Sequence, residues 1–146
     1  MSQVLFIAED DPLMSRMYER AFRLAGYDLK MAFDGEEALA TLKKMDPLPV
    51  IAILDVMMPK KSGFDVLREM KADPKLKNIP AILLTNLAGQ QDAEKGLEIG
   101  AVLYLVKSQY SPKQVVEKVQ EIINAYSRKD GIPDVKVGVK DINSKI

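Results

Sequence analysis

The sequence predicts an α/β fold, a doubly wound, five-stranded parallel sheet with helices on both faces. Five short apolar runs recur along the chain, and each is followed by a stretch with helical spacing. Such alternation is typical of parallel strands joined by crossover helices. The third run, residues 50–54, is continuously apolar, as expected for a strand that is covered on both faces. A chain of 146 residues, 47 % of them hydrophobic, can bury one core of this kind.

The first two strand–helix units have clear boundaries. A strand is predicted at 4–8, Asp11–Pro12 suits the cap and first turn of a helix, and Gly26 is a natural stop. Apolar residues of this helix follow helical spacing: Leu13, Met14, Met17, Ala21 and Leu24. A second strand is predicted at about 28–32. The Asp34–Gly35 turn then leads into a helix that carries Ala38, Leu39 and Leu42.

The other three units follow the same pattern. Their strands are predicted at 50–54, 81–84 and 102–106. Ser62–Gly63 opens the third helix, and residues 90–100 form a shorter fourth helix. Ser111 and Gln114 have the spacing of a capping box at the start of the fifth helix. That helix carries one apolar stripe: Val115, Val119, Ile122 and Tyr126.

The chain departs from this alternation near its C-terminal end. We therefore predict one domain over residues 1–127 and a polar tail over 128–146. The tail is either flexible or a short added strand, because Val135, Val137 and Val139 alternate with polar residues.

Composition excludes several classes of function. The sequence has no cysteine and no histidine, which removes disulfides, thiolate metal sites and an imidazole base. Lys plus Arg number 21, as do Asp plus Glu, so net charge gives no case for nucleic-acid binding. No apolar run reaches the length of a membrane span, and the N-terminus lacks the layout of a signal peptide. The expected location is the cytoplasm.

Chemistry is expected at one edge of the predicted sheet. The carboxyl ends of parallel strands share an edge, and ligands bind there. The residues that directly follow four of the strands are polar or charged: Glu9, Asp10 and Asp11 after the first, Asp55 after the third, Thr85 after the fourth and Lys107 after the fifth. The fold therefore predicts a cluster of carboxylates with one hydroxyl and one ammonium group.

Such a cluster suits phosphoryl chemistry on a carboxylate. Crowded carboxylates need a cation, and an oxygen-only site without His or Cys suits Mg²⁺. A carboxylate can attack phosphorus and form an acyl phosphate, helped by positive charge on the other phosphoryl oxygens. Mg²⁺ and Lys107 would supply that charge, and Thr85 a hydrogen bond.

Each of these residues also has a simpler interpretation when it is considered alone. An acidic triplet after a strand is commonly a solvated loop with a helix cap, a threonine at a strand end can cap the next segment, and lysine is commonly a surface residue. The coincidence of all four positions at the ends of successive strands favours the functional interpretation.

Five stretches, in this order, resemble the receiver domain of two-component response regulators: 4–12, 53–59, Gly63–Phe64, 83–85 and the region from Gly100–Ala101 through Tyr104 to Lys107. The resemblance covers about residues 3–127. It implies the flavodoxin-like fold with strand order 2-1-3-4-5, the order that a chemotaxis member of this family has.

The resemblance also implies the roles of individual residues. Asp55 would be the phosphoacceptor. Glu9 and Asp10 would hold Mg²⁺ (or Mn²⁺) together with Asp55 and the backbone carbonyl of Met57. Asp11 would be the helix cap. Thr85 and Lys107 would contact the phosphoryl group, and Tyr104 would be an aromatic switch that turns inward as Thr85 moves to the phosphate.

The family resemblance implies a signalling protein and not an enzyme with a separate substrate. The phosphodonor would be a histidine kinase or a histidine phosphotransfer protein, and a downstream protein would sense the change. No nucleic acid or membrane is implied as a partner, and the chain would be a monomer or a weak dimer.

The sequence differs from the family pattern at a few positions. Ser108 replaces the proline that usually follows the lysine, and Asn86 replaces a small residue after Thr85. Met57 and Leu87 occupy the two positions that tune loss of the phosphoryl group in this family. Neither apolar side chain can position a water molecule, so slow self-dephosphorylation is expected.

Three rival functions share parts of this pattern. Aspartyl-phosphate hydrolases commonly carry a second Asp two residues after the nucleophile, whereas this chain has Met57 there. A flavin or nucleotide protein would need a phosphate-binding loop, and neither GxxxxGK[ST] nor GxGxxG is present. A receiver-like domain that binds partners without phosphorylation stays open as the alternative.

Overall fold

The computed structural model describes residues 3–126. The strands are β1 (Val4–Ala8), β2 (Asp28–Ala32), β3 (Ile51–Leu54), β4 (Ala81–Thr85) and β5 (Leu103–Val106). The helices are α1 (Pro12–Leu24), α2 (Gly35–Lys44), α3 (Gly63–Ala72), α4 (Gln90–Ile99) and α5 (Pro112–Tyr126), with a 3₁₀ turn at Lys107–Gln109. The predicted boundary near residue 127 and the tail 128–146 lie outside the described residues.

The five strands form one parallel sheet in the order β2-β1-β3-β4-β5. This confirms the predicted fold class and the order implied by the family resemblance. The order reverses between β1 and β3, which places the crevice for a ligand where these two strands end. Among residues 3–126, none of the helices combines the length and the apolar character that a membrane span requires.

The sheet separates two hydrophobic cores. Residues of α1 and α5 pack on one face, against Leu5, Ile7, Ile53 and Leu105 among others. Residues of α2, α3 and α4 pack on the other face, against Phe6, Leu54, Leu83 and Tyr104 among others. Side chains alternate between faces along a strand. If this alternation is extended along each strand to its carboxyl end, Glu9, Asp55 and Lys107 fall on the α1/α5 face. Thr85 falls on the α2–α4 face.

The buried face of α1 differs from the stripe that the sequence suggested. Leu13, Met17 and Leu24 are exposed, whereas Tyr18 and Phe22 are fully buried against the sheet. Both sets follow helical spacing, so periodicity alone does not decide between them. The two aromatic rings offer more area to bury, and burial of area sets which face turns inward.

The predicted helix starts are confirmed by their hydrogen bonds. The Asp11 carboxylate accepts bonds from the N–H groups of Leu13 (2.9 Å) and Met14 (3.4 Å). In the Ser111–Gln114 capping box, the Gln114 N–H donates to the Ser111 hydroxyl (3.2 Å) and the Ser111 N–H donates to the Gln114 side chain (2.9 Å). These caps fix where α1 and α5 leave the site edge of the sheet.

Candidate functional site

Glu9 and Asp55 are held side by side by the backbone of the sheet. The Asp55 N–H donates to the carbonyl of Ala8 at 3.0 Å, and the Glu9 N–H donates to the carbonyl of Ala32 at 3.0 Å. These bonds continue the ladders of β1 with β3 and of β1 with β2 one residue beyond the strands. The two carboxylates therefore emerge from adjacent strand ends, as the sequence predicted.

Lys107 bridges the two carboxylates. Its Nζ lies 2.5 Å from Glu9 Oε1 and 2.7 Å from Asp55 Oδ2. The three side chains are 8 %, 2 % and 7 % exposed, respectively. A buried pair of like charges is unfavourable without a counter-ion, and Lys107 supplies one positive charge to both groups.

The remaining carboxylate oxygens are held by backbone N–H groups. Met57 N–H donates to Asp55 Oδ1 at 3.1 Å, and Asp11 N–H donates to Glu9 Oε2 at 3.1 Å. Each carboxylate thus has one oxygen on a backbone amide and the other on Lys107. This arrangement fixes the orientation of both groups before any ligand arrives.

Burial and charge shift the pKa values of this cluster. Burial raises the pKa of Glu9 above its ordinary value, and the hydrogen bond from Lys107 offsets part of that rise. Burial alone would lower the pKa of the Lys107 ammonium. The hydrogen bonds and charges of Asp55 and Glu9 outweigh burial, so the net effect raises it and Lys107 stays charged.

Asp10 completes an acidic group with the chemistry of a divalent-cation site. One carboxylate oxygen from each of Glu9, Asp10 and Asp55 lies within 4.8 Å of the others. Asp10 is exposed to solvent, while Glu9 and Asp55 are buried. The donors are oxygen atoms only, and one side is open to water, which fits a hard cation that retains some of its water ligands.

Gly63 allows α3 to start in close contact with the backbone that follows β3. A Cβ atom at this position would lie 2.2 Å from the carbonyl oxygen of Asp55 and 2.9 Å from the Cα of Val56. The Gly63 N–H also donates to the Val56 carbonyl at 2.9 Å. The backbone after Asp55 is therefore packed so closely against α3 that only glycine fits.

Thr85 and Tyr104 lie on the other side of the sheet from Lys107. Thr85 is the last residue of β4 and is fully buried, and its hydroxyl accepts a bond from the Leu87 N–H at 3.3 Å. The fully buried Tyr104 donates its hydroxyl to the Leu87 carbonyl. The two predicted switch residues are thus linked through Leu87, with Tyr104 already turned inward.

The positions that depart from the family pattern are all near this edge. Ser108 is exposed in the 3₁₀ turn that begins at Lys107, and Asn86 is exposed after β4. Met57 is 61 % exposed beside Asp55, and Leu87 is half-buried. Lys107 contacts both carboxylates from the start of this turn, although serine and not proline follows it.

Tyr18 is the residue of this region that sequence reasoning missed. It lies in the α1/α5 core, and the charges of Glu9 and Asp55 act on its hydroxyl. The sequence offered little signal, because the tyrosine lies between apolar residues with the same helical spacing. The burial of its hydroxyl can be recognised only when the inward face of α1 is known.

Comparison with known proteins agrees with this geometry. The family model described as the response regulator receiver domain matches residues 5–120. The chain belongs to the response regulator receiver domain family. This receiver domain is therefore a phosphoacceptor signalling module.

Relatives and solved structures extend the match. A probable transcriptional regulator, ycf27 of Porphyridium aerugineum, is 35 % identical over 119 residues, which cover 82 % of this chain and 47 % of that protein. The chain thus spans about half the length of that curated relative. A putative response regulator from Chloroflexus aurantiacus superposes with a TM-score of 0.77 at 31 % identity, covering 85 % and 99 % of the two chains. The Mn²⁺-bound form of response regulator Rcp1 gives 0.72 at 29 % identity, covering 90 % and 99 %.

Proposed function

We propose that this receiver domain is a phosphorylation-dependent switch in which Asp55 accepts the phosphoryl group. The observation that carries the proposal is the contact of 2.7 Å between Asp55 Oδ2 and Lys107 Nζ inside a buried acidic cluster. A carboxylate held against a fixed ammonium group is ready to attack phosphorus while the ammonium takes up charge on the phosphoryl oxygens.

The proposed transfer forms one bond and breaks one. An Asp55 carboxylate oxygen attacks phosphorus and forms the new O–P bond of an acyl phosphate. The bond from phosphorus to the donor breaks, and its electron pair stays on the donor nitrogen, which takes up a proton. Lys107 then pairs with a phosphoryl oxygen, because the transferred group carries more negative charge than the carboxylate did.

Glu9, Asp10 and Asp55, with the Met57 carbonyl, are the proposed ligands of a divalent cation. We assign Mg²⁺ as the physiological ion, with Mn²⁺ as a substitute, because the donor atoms are oxygens and one side is open to water. When bound, the cation would neutralise charge on the phosphoryl oxygens. The Mn²⁺-bound form of the similar Rcp1 supports this assignment.

Thr85 and Tyr104 are proposed to transmit the change. The Thr85 hydroxyl would turn to a phosphoryl oxygen, which would alter its contact with the Leu87 peptide and so the anchor of Tyr104. A downstream protein would sense the altered surface as a shift between two populations.

The proposed phosphodonor is a histidine kinase or a histidine phosphotransfer protein, in the cytoplasm. The chain would assist its own phosphorylation and slow dephosphorylation and would act on no separate substrate, as a monomer or weak dimer. We favour this function over a phosphorylation-independent binding module because Glu9, Asp10, Asp55 and Lys107 are all in place.

Intact-mass analysis after treatment with acetyl phosphate and Mg²⁺ tests this proposal. Wild type should gain one phosphoryl group, and Asp55→Asn and EDTA-treated wild type should gain none. Asp11→Asn is the matched control, because Asp11 caps α1 and Asn caps equally well. A phosphoryl group on Asp55→Asn would place the acceptor elsewhere, and no adduct on wild type from any donor would favour the binding module.

A further inference from the structure

A buried tyrosine hydroxyl in the α1/α5 core has no hydrogen-bond partner among residues 3–126. Tyr18 is 1 % exposed, and its hydroxyl is the one buried side-chain polar atom of residues 3–126 that has no hydrogen-bond partner. An unpaired buried hydroxyl costs about 1–3 kcal/mol, so such a group in a stable core calls for an explanation. Phenylalanine would fill the same space without this cost.

The position of Tyr18 points to the phosphoryl site. Tyr18 packs on the α1/α5 face of the sheet, in the core that holds Ile7 and Ile53. Glu9 and Asp55 follow these two residues at the next alternate positions of β1 and β3. The negative charges of both carboxylates act on the Tyr18 hydroxyl, in addition to its burial. Tyr18 therefore packs on the face of the sheet to which Glu9 and Asp55 are assigned, and its hydroxyl lies within the range of their charges.

The proposed phosphoryl transfer removes one hydrogen-bond donor from the Glu9 carboxylate. Glu9 Oε1 is held by Lys107 in the present structure, and Lys107 is shared with Asp55. When Lys107 turns to a phosphoryl oxygen, Glu9 Oε1 loses that ammonium contact. The Glu9 side chain is 2 % exposed and its carboxylate has about four lone-pair sites, so it can accept a further donor even when it also holds the proposed cation.

We propose that Tyr18 is a positioning residue of the phosphoryl site. Its hydroxyl donates a hydrogen bond to the Glu9 carboxylate, directly or through one water molecule, once Lys107 has turned from Glu9 to the phosphoryl group. Tyr18 thereby keeps Glu9 oriented in the phosphorylated state, at the expense of stability in the free state. This inference rests on the proposed function of Asp55.

A double-mutant cycle between Tyr18 and Lys107 tests the inference in the free protein. Tyr18→Phe should leave the melting temperature unchanged or raise it, because it removes an unpaired hydroxyl. In a Lys107→Met background, Glu9 lacks its ammonium partner, so the Tyr18 hydroxyl already pairs and Tyr18→Phe should lower the melting temperature. An effect of the same sign and size in both backgrounds would overturn the inference.

Binding of beryllofluoride, a mimic of the acyl phosphate, provides the second test. In the presence of Mg²⁺, Tyr18→Phe should bind beryllofluoride roughly tenfold more weakly, the factor expected for the loss of one hydrogen bond to a charged group. Tyr126→Phe, in α5, is the matched control and should bind like wild type. Equal affinity of Tyr18→Phe and wild type would overturn the role of Tyr18, whereas no binding by wild type would overturn the proposed function itself.

Discussion

Thr85 and Tyr104 are connected through a single residue, Leu87. The Leu87 N–H donates to the Thr85 hydroxyl at 3.3 Å, and the Leu87 carbonyl accepts a bond from the Tyr104 hydroxyl. Both side chains are fully buried. A displacement of the Thr85 hydroxyl therefore acts on Tyr104 through one short backbone segment.

Thr85→Val should separate phosphorylation from its readout. The substitution keeps the shape of the side chain but leaves the partly buried Leu87 N–H without its acceptor, at a cost of about 1 kcal/mol in the free energy of unfolding. Urea denaturation measures this cost. We expect Asp55 still to be phosphorylated, but with a smaller change in Tyr104 fluorescence or NMR signals. Thr85→Ser keeps the hydroxyl and should restore the change; equal responses from both variants would contradict the link.

Lys107→Met should tighten Mg²⁺ binding while slowing phosphorylation. Lys107 competes with a cation for Glu9 and Asp55, so its removal should strengthen Mg²⁺ binding on the order of tenfold, the equivalent of about one pKa unit. Isothermal titration calorimetry measures the affinity, and mass spectrometry measures the rate of adduct formation. Lys113→Met, an exposed lysine of α5, is the control. Weaker Mg²⁺ binding by Lys107→Met would show that Lys107 supports the cation site.

The raised pKa of Glu9 makes stability depend on pH in a defined direction. Burial disfavours the charged form in the folded state, so the folded protein binds this proton more tightly than the unfolded chain. Stability should therefore increase as the pH falls from the raised pKa towards 4.5, the ordinary value. The difference in unfolding free energy between wild type and Glu9→Gln isolates this contribution. A difference that stays constant across that range would contradict the raised pKa.

Gly63→Ala should damage both the fold and the site. The added methyl would lie 2.2 Å from the Asp55 carbonyl, so α3 or the Asp55 loop must move, at a cost of about 1–3 kcal/mol. The melting temperature and the rate of Asp55 phosphorylation should both fall. Gly89→Ala is the control, since its Cβ would meet only the flexible Asp92 side chain. Equal effects of the two substitutions would exclude a special role for Gly63.

The phosphorylated protein should lose its phosphoryl group slowly. Met57 and Leu87 flank the site with apolar side chains, which cannot orient an attacking water. Met57→Asn introduces a hydrogen-bonding group and should shorten the lifetime of the adduct, measured by mass spectrometry after removal of the donor. Met57→Leu should have little effect. A wild-type lifetime of seconds would contradict the prediction.

Much of this architecture could be predicted because its signals are local. Apolar runs, caps such as Asp11 and Ser111, and the alternation of strands with helices each reflect the preferences of a few neighbouring residues. The meeting of Glu9, Asp55 and Lys107 also followed from the sheet edge alone. The inward face of α1 could not be predicted, because Leu13 and Tyr18 belong to two competing stripes and only packing decides between them.

Network details lay beyond sequence reasoning for a different reason. That one ammonium group serves both Glu9 and Asp55, and that Thr85 meets Tyr104 through Leu87, depends on side-chain directions in three dimensions. The spacing of residues along the chain does not determine these directions.

The assignment of side chains to the two faces of the sheet has a consequence for how such a protein can change. Glu9, Asp55 and Lys107 are assigned to one face, whereas Thr85 and Tyr104 belong to the other, so the two groups meet only at the carboxyl edge of the sheet. The proposed signal passes from one face of the sheet to the other where β4 and β5 end. Substitutions away from this edge can therefore change the outer surface of either helix layer without disturbing the reacting groups.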